Sequence, residues 1–316
     1  MGPERVKTAL IAGGAGFIGS HLTKSLLKKG LRVIVWDNLV TGYMRNLESV
    51  ENHKNYYFKK LDICRKETFL LDGSLDYIYH LASPASPIQY LAFPHETIQA
   101  NTVGTNNLLQ LAKEKNARII FASTSEIYGD PLISPQSESY WGNVNPIGPR
   151  SIYDEAKRLG ETLCSQYYRE GVNVGIVRIF NTYGPWMDPF DGRVVSTFIR
   201  QALSGEKYSI QGTGEQTRSF CYVEDLVRGI ELFSDLEIMG PINLGNPHEM
   251  TVLELAEFIS ENLKVGNQFE FYAGLEDDPQ HRRPDISVAR DLLNWEPTVG
   301  LEEGVKETAQ WMKQIL

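Results

Sequence analysis

The stretch Val6-Lys7-Thr8-Ala9-Leu10-Ile11-Ala12-Gly13-Gly14-Ala15-Gly16-Phe17-Ile18-Gly19 decides the fold of this chain. Its first half is an apolar run of strand length that empties into Gly13, Gly16 and Gly19. Beyond them Ile18, Leu22, Ser25 and Leu26 fall on one helical face, and Gly30 stands past the helix end. Glycines at these places permit a tight turn, close backbone approach and close helix–strand packing. The helix N-terminus then offers free N–H groups and a positive dipole end to a pyrophosphate, with Phe17 and Ile18 in its first turn. A second strand, Leu31 to Trp36, ends in Asp37 and Asn38, a little over twenty residues beyond the first glycine. An acid there accepts hydrogen bonds from ribose hydroxyls and repels a 2′-phosphate, which points to NAD rather than NADP.

Outward from this unit the same rhythm continues through Tyr56–Leu61, Tyr77–Leu81, Arg118–Ala122 and Val174–Phe180, with helical patterns between. Alternating strands and helices predict an α/β chain with a Rossmann-like, doubly wound parallel sheet. Carboxyl ends of such strands open onto the ligand crevice. Leu81, Ala82, Ser83 and Pro84 are therefore candidates, and Asp62 with Ile63 either reaches an adenine or caps the next turn. The helix Thr97–Lys115 carries Asn101, Gly104 and Thr105 near one face, where Asn101 fits a buried hydrogen-bonding role. From about Asn181 the alternation loosens, and Asn181-Thr182-Tyr183-Gly184-Pro185 is turn chemistry. The expected division is a dinucleotide domain over 1–180, to which roughly 220–247 returns, and a smaller substrate domain over 181–219 and 248–316.

Between Phe121 and Lys157 lies the candidate chemistry. Thr124 ends a buried strand, while Tyr153 and Lys157 stand four apart in a helix and share a face. A nearby ammonium favours phenolate, so the expectation is that Lys157 lowers the Tyr153 pKa and makes it a general base.

Composition narrows the function classes. With 42% hydrophobic and 22% charged residues the 316-residue chain reads as globular, and a net charge of -9 argues against general nucleic-acid binding. A local cluster of Arg193, Arg218, Arg282 and Arg283 suits a diphosphate. Cys64, Cys164 and Cys221 lack CxxC spacing, which fits reduced thiols in the cytoplasm, and the six histidines show no metal-ligand spacing. The first apolar run begins near Val6 and breaks at glycines, so neither a signal peptide nor a membrane span is expected.

The strings GGAGFIGSHL, HLASPASP, NTVGT, ASTSEIYGDP, YWGNVNPIGPRSIYDEAKR, FNTYGP, DGRVVSTF, GEQTRSF and RRPDI run along essentially the whole chain. Together they resemble the extended short-chain dehydrogenase/reductase family of nucleotide-sugar-modifying enzymes. Thr124-Ser125-Glu126 and the Asp191–Val195 stretch resemble more narrowly the decarboxylases of that family. Its dehydratases usually carry an Asp-Glu pair after the threonine, and its epimerases usually lack a carboxylate at the place of Glu126. Three residues depart from the decarboxylase pattern: Trp186 stands for a basic residue, Thr197 for Asn and Ala156 for Gly.

The resemblance implies NAD-dependent decarboxylation of UDP-glucuronate to UDP-xylose through a 4-keto sugar. Tyr153 would take the 4-hydroxyl proton, Lys157 hold the phenolate and the nicotinamide ribose, and Thr124 align the hydroxyl. Glu126 would orient or destabilise the sugar carboxylate, and Arg282 bind it or assist proton delivery. Pro84, Ser125, Asn181, Arg193, Val194, Val195, Gln211 and Arg218 would contact the UDP-sugar. It further implies a homodimer through the helices Thr97–Lys115 and Ser151–Arg169, whose Leu108, Leu111, Leu159 and Leu163 serve either core or interface. The alternatives are a UDP-sugar 4-epimerase and, from another class, an NAD-sensing regulatory protein.

Overall fold

The computed structural model describes residues 5–274 and 276–316. Strand β1 (Thr8–Ala12) is buried along its whole length and pairs in parallel with β2 (Arg32–Asp37) on one side. Strand β3 (Tyr56–Lys60) extends that side, and β4 (Tyr77–His80), β5 (Arg118–Thr124), β6 (Val174–Ile179) and the strand Ile242–Leu244 extend the other. The order of the seven-stranded sheet is Ile242–Leu244, β6, β5, β4, β1, β2, β3. Connections therefore run in opposite directions from β1, and the crevice outside the carboxyl ends of β1 and β4 is where such sheets bind ligands.

The glycine turn sits in that crevice. Gly13 has φ +84, and a Cβ there would meet the Ala82 backbone nitrogen at 2.6 Å, so only glycine lets the loops after β1 and β4 touch. Helix α1 (Phe17–Lys28) starts directly on this turn with no side chain capping its first N–H groups.

The helix expected over Thr97–Lys115 is built in pieces. Short helices α2 (Pro87–Ala92) and α3 (Pro94–Gln99) precede a π-turn at Ala100–Gly104, and α4 (Thr105–Lys115) continues from it. Next to α4 packs α5 (Ser151–Arg169), the helix of Tyr153 and Lys157.

Beyond β6 the chain builds three small sheets. Thr182–Tyr183, read as a turn, is a short strand in parallel with Cys221–Tyr222, because their neighbours need backbone partners at the sheet's edge. Tyr208–Gln211 pairs with Phe269–Tyr272, and Thr217–Ser219 lies between Glu249–Thr251 and His281–Arg282. The helix Val252–Leu263 opens with a capping box in which Thr251 and Glu254 satisfy each other's backbone N–H groups. A single apolar cluster joins α1 and one sheet face to the helices Val194–Ser204, Val252–Leu263 and Leu301–Met312. The C-terminal elements are thus packed onto the sheet through a shared core, which fixes their arginines over its carboxyl edge.

Candidate active site

Two connected cavities occupy that edge. The smaller, about 90 Å³, is walled by Asp37, Asn38, Asp62, Ile63, Ala82 and Pro84, and the larger, about 360 Å³, by Phe17, Ile18, Gly19 and the Thr124–Glu126 turn. They meet at Gly13, Gly16, Leu81 and Ser83. The glycine turn and the start of α1 therefore lie between an end that carries a buried acid and an end that carries Tyr153.

This arrangement fits a bound NAD. The α1 N-terminus presents uncapped N–H groups at the junction, and Gly13 and Gly16 keep it clear of side chains. Asp37 is held by N–H donation from Ala15 at 3.0 Å and Leu39 at 2.8 Å. Burial raises its pKa, and those two N–H groups oppose the rise.

Pro84 and Asn101 occupy other places than expected. Pro84 walls the smaller cavity rather than the larger, because the loop after β4 turns toward α3. Asn101 lines neither cavity: it is fully buried in the π-turn and donates to Ser83 Oγ at 2.8 Å and to the Thr97 carbonyl at 2.9 Å. It acts on the cavity only through Ser83.

In the larger cavity Tyr153, Lys157, Thr124, Ser125 and Glu126 share a wall, and Asn181, Arg193, Val194, Val195, Gln211, Arg218 and Arg282 face them. Tyr153 stacks on Tyr90 with ring centroids 5.3 Å apart and planes 6° from parallel. Burial pushes its phenol up, while Arg193 and the Thr124 hydroxyl pull it down. Lys157 donates instead to the Ala122 carbonyl at 2.6 Å, and burial lowers it to about 7. The ammonium of Lys157 is tied to β5 and lies 5.7 Å from the Tyr153 ring centroid, and the charge that most lowers the phenol is that of Arg193.

Glu126 follows Thr124 in a short turn where its own N–H donates to Thr124 Oγ1 at 3.2 Å. Its carboxylate accepts from Arg150 Nη2 at 2.6 Å and from both terminal nitrogens of Arg282. Burial opposes ionisation, yet Arg150 and Arg282 together hold this carboxyl well below the usual range. Asp278 extends the network by accepting from Arg218 Nη2 at 2.9 Å and Arg150 Nη1 at 3.4 Å. Asp154, buried beside Tyr153, is raised to about 8 by burial and by the charge of Glu126.

Arg283 does not join the cavity. Its backbone pairs with Gln136 through two hydrogen bonds of 2.8 Å, and the alternation of a strand turns its side chain away from that of Arg282. Arg150 and Asp278 line the larger cavity and were missed by sequence reading. Arg150 did carry a signal, since a cation at a helix N-cap opposes the helix dipole and needs an anion to hold it. Among the described residues no group of three or more His, Cys, Asp or Glu stands ready for a metal ion, and no helix is long and apolar enough to cross a membrane.

Comparison with known proteins agrees with this geometry. UDP-glucuronic acid decarboxylase 1 of Xenopus tropicalis is 50% identical over 311 residues, covering 98% of this chain and 73% of that protein. UDP-glucuronic acid decarboxylase 6 of Arabidopsis thaliana is 52% identical over 298 residues, covering 94% and 86%. Among solved structures, UDP-glucose 4-epimerase of Thermotoga maritima with UDP-glucose superposes with a TM-score of 0.88 at 31% identity, covering 98% of this chain and 99% of that one. UDP-glucuronic acid 4-epimerase of Bacillus cereus, in complex with UDP-glucuronic acid and NAD, gives 0.87 at 28% identity and covers 98% and 100%. The profile of the NAD dependent epimerase/dehydratase family matches residues 9–245, a span that holds both the glycine turn and the Tyr153–Lys157 pair, and this chain belongs to that family.

Proposed function

We propose that this chain decarboxylates UDP-glucuronate to UDP-xylose by way of a 4-keto sugar. The observation that carries the reading is the single carboxylate after Thr124, Glu126, held between Arg150 and Arg282 in the cavity of Tyr153. In this network Arg150, Arg218 and Arg282 stand against Glu126 and Asp278, and the positive charge left over suits a sugar that bears a carboxylate of its own. The two relatives at 50% and 52% identity, both UDP-glucuronic acid decarboxylases, support the same reaction.

Bound NAD would supply a hydride acceptor and then a hydride donor for the sugar C4, which makes the net reaction redox-neutral. Tyr153 as phenolate accepts the 4-hydroxyl proton, and Thr124 orients that hydroxyl. Oxidation at C4 places the sugar carboxylate β to a ketone. The bond from C5 to the carboxyl carbon then breaks, CO2 leaves, and the electron pair spreads into an enolate whose oxygen receives a hydrogen bond from the Tyr153 phenol. A proton taken up at C5 gives a 4-keto pentose, and return of the hydride to C4 with the Tyr153 proton passing back to the 4-oxygen completes UDP-xylose. Because Arg150 and Arg282 balance its charge, Glu126 acts by orienting Arg282 toward the sugar carboxylate, not by repelling that carboxylate. Arg193 and Arg218 supply charge to the diphosphate.

The Bacillus cereus structure, an epimerase with UDP-glucuronic acid, keeps a second reading in view: turnover of the keto sugar without loss of carbon. Incubation with UDP-glucuronate separates the two, since decarboxylation yields CO2 and a UDP-pentose, and epimerisation yields a UDP-hexuronate alone.

The proposal extends to a homodimer in a reducing, cytoplasmic compartment. Leu108 and Leu111 are buried and belong to the core, whereas Ile98, Val103 and Leu159 expose apolar surface on the helical elements expected to pair. Cys64, Cys164 and Cys221 are unpaired. Light scattering at micromolar concentration checks the dimer, and a monomer there would contradict it.

A further inference from the structure

Two segments from opposite sides of the crevice meet over the glycine turn. The loop after β2 is fastened to that turn, since the Tyr43 N–H and the Asn46 side-chain amide both donate to the Ala15 carbonyl at 3.0 Å. Pro185–Asp188 arrives from the β6 side. His21 of α1 lies 2.9 Å from the Pro185 carbonyl through Nε2, and the Trp186 ring meets the His21 ring with centroids 4.6 Å apart. Lys24, also on α1, sets its ammonium 2.9 Å from the Trp186 ring centroid, and among the described residues it has no hydrogen-bond partner. Trp186 itself has φ +63, a left-handed conformation that a bulky residue keeps only where its surroundings hold it. The two segments are then joined directly: the Tyr43 phenol donates to Asp188 Oδ2 at 2.8 Å, across 145 residues of sequence. Tyr43, Trp186 and Asp188 line the same cavity as Gly16 and Gly19.

We propose that the Tyr43–Asp188 hydrogen bond, with Trp186 wedged beside it, is a clasp that closes the groove over NAD and slows its release. The inference rests on the reading of this groove as the NAD site. Its logic follows from the reaction, because a cofactor restored in every turnover has no need to leave. The contacts of Trp186 with His21 and Lys24 hold the far arm against α1, and the Ala15 carbonyl holds the near arm. Among the described residues, the phenol–carboxylate bond is a link between the arms that opens without disturbing either anchor. A basic residue at the place of Trp186 would reach for phosphate directly; here an indole braced by Lys24 serves as a wall instead.

The test is the rate of NADH release from loaded protein, followed by loss of NADH fluorescence after dilution into excess NAD. Tyr43→Phe removes the donor, Asp188→Ala removes the acceptor, and each is expected to speed release roughly ten-fold, the effect of one charge-assisted hydrogen bond. The double variant is expected to release no faster than either single one. Unchanged release in either single variant, or effects that multiply in the double variant, would overturn the clasp. Wild-type protein that binds no NADH would overturn the reading of the groove and the clasp with it, whereas normal binding with unaltered release in Tyr43→Phe would overturn the clasp alone.

Discussion

Arg150 stands at the N-cap of the helix that carries Tyr153 and donates to Glu126 at 2.6 Å, so the carboxylate in the Tyr153 cavity is tied to the helix of Tyr153. A cation at this end of a helix opposes the dipole, and the ion pair with Glu126 offsets that cost. Both side chains are largely buried, at 11% and 15% exposure, so the pair is screened far less than a surface bridge.

Breaking this pair from the arginine side should be felt in stability and in substrate binding together. Arg150→Met leaves Glu126 with Arg282 alone and removes a charge from the cavity wall. The expected loss is about 3 kcal/mol in denaturant unfolding, with a raised KM for UDP-glucuronate. An unchanged KM beside the stability loss would make Arg150 a structural residue only.

Glu126→Gln tests the role of the charge. Product formation should fall steeply while NAD binding, measured by fluorescence titration, is retained. The pH dependence has a definite sign. The folded-state pKa of Glu126 lies below its unfolded value, so its contribution is complete above the ordinary carboxylate range and is lost as pH falls through the folded value. Melts from pH 7 down to pH 3 should therefore show the gap between wild type and Glu126→Gln constant at first and narrowing in acid. A gap that widens in acid would contradict the pairing.

Lys157 gives the opposite trend. Burial lowers its folded-state pKa to about 7, below the ordinary lysine value of 10.5, so in the protein without cofactor it disfavours folding most below pH 7. That penalty fades as pH rises from about 7 toward 10.5. Lys157→Met without NAD is expected to be more stable than wild type at pH 6, with the advantage shrinking by pH 9, although it should lose activity. Equal melting of the two proteins at both pH values would show that the Ala122 carbonyl fully compensates the buried ammonium.

The NAD preference is expected to depend on Asp37. Wild type should bind NAD at least about ten-fold more tightly than NADP, because a 2′-phosphate would meet a buried carboxylate. Ala15 and Leu39 donate to different oxygens of Asp37, so Asp37→Asn keeps an acceptor for only one of them while removing the charge; it should narrow the gap at some cost in melting temperature. Direct titration with both dinucleotides decides it, and a wild type that does not discriminate would refute the assignment.

Much of this protein was legible because it is local. The strand, glycine turn, helix, strand and acid from Thr8 to Asp37 follow one another in sequence, and each is dictated by its own residues: continuous apolar runs, glycine where φ is positive, an acid at a strand end. Tyr153 and Lys157 share a face because a helix repeats every 3.6 residues. The sequence by itself thus determined the sheet class, the dinucleotide groove and the shared helix of Tyr153 and Lys157.

What only the tertiary structure decided are the meetings of distant charges and the directions of side chains. Glu126 and Arg282 are 156 residues apart, and no periodicity announces that a two-residue strand, His281–Arg282, will pair beside Thr217–Ser219 and bring one arginine in while the next turns away. Lys157 could not be assigned to Ala122 from spacing, since the choice between a phenol and a strand carbonyl depends on how α5 lies on β5. Asn101 retreats behind Ser83 because a π-turn, invisible in the apolar pattern, rotates it off the cavity face. In each case the deciding energy is a hydrogen bond or ion pair formed through space in a desolvated cleft. Such pairs are strong only once the fold has excluded water around them.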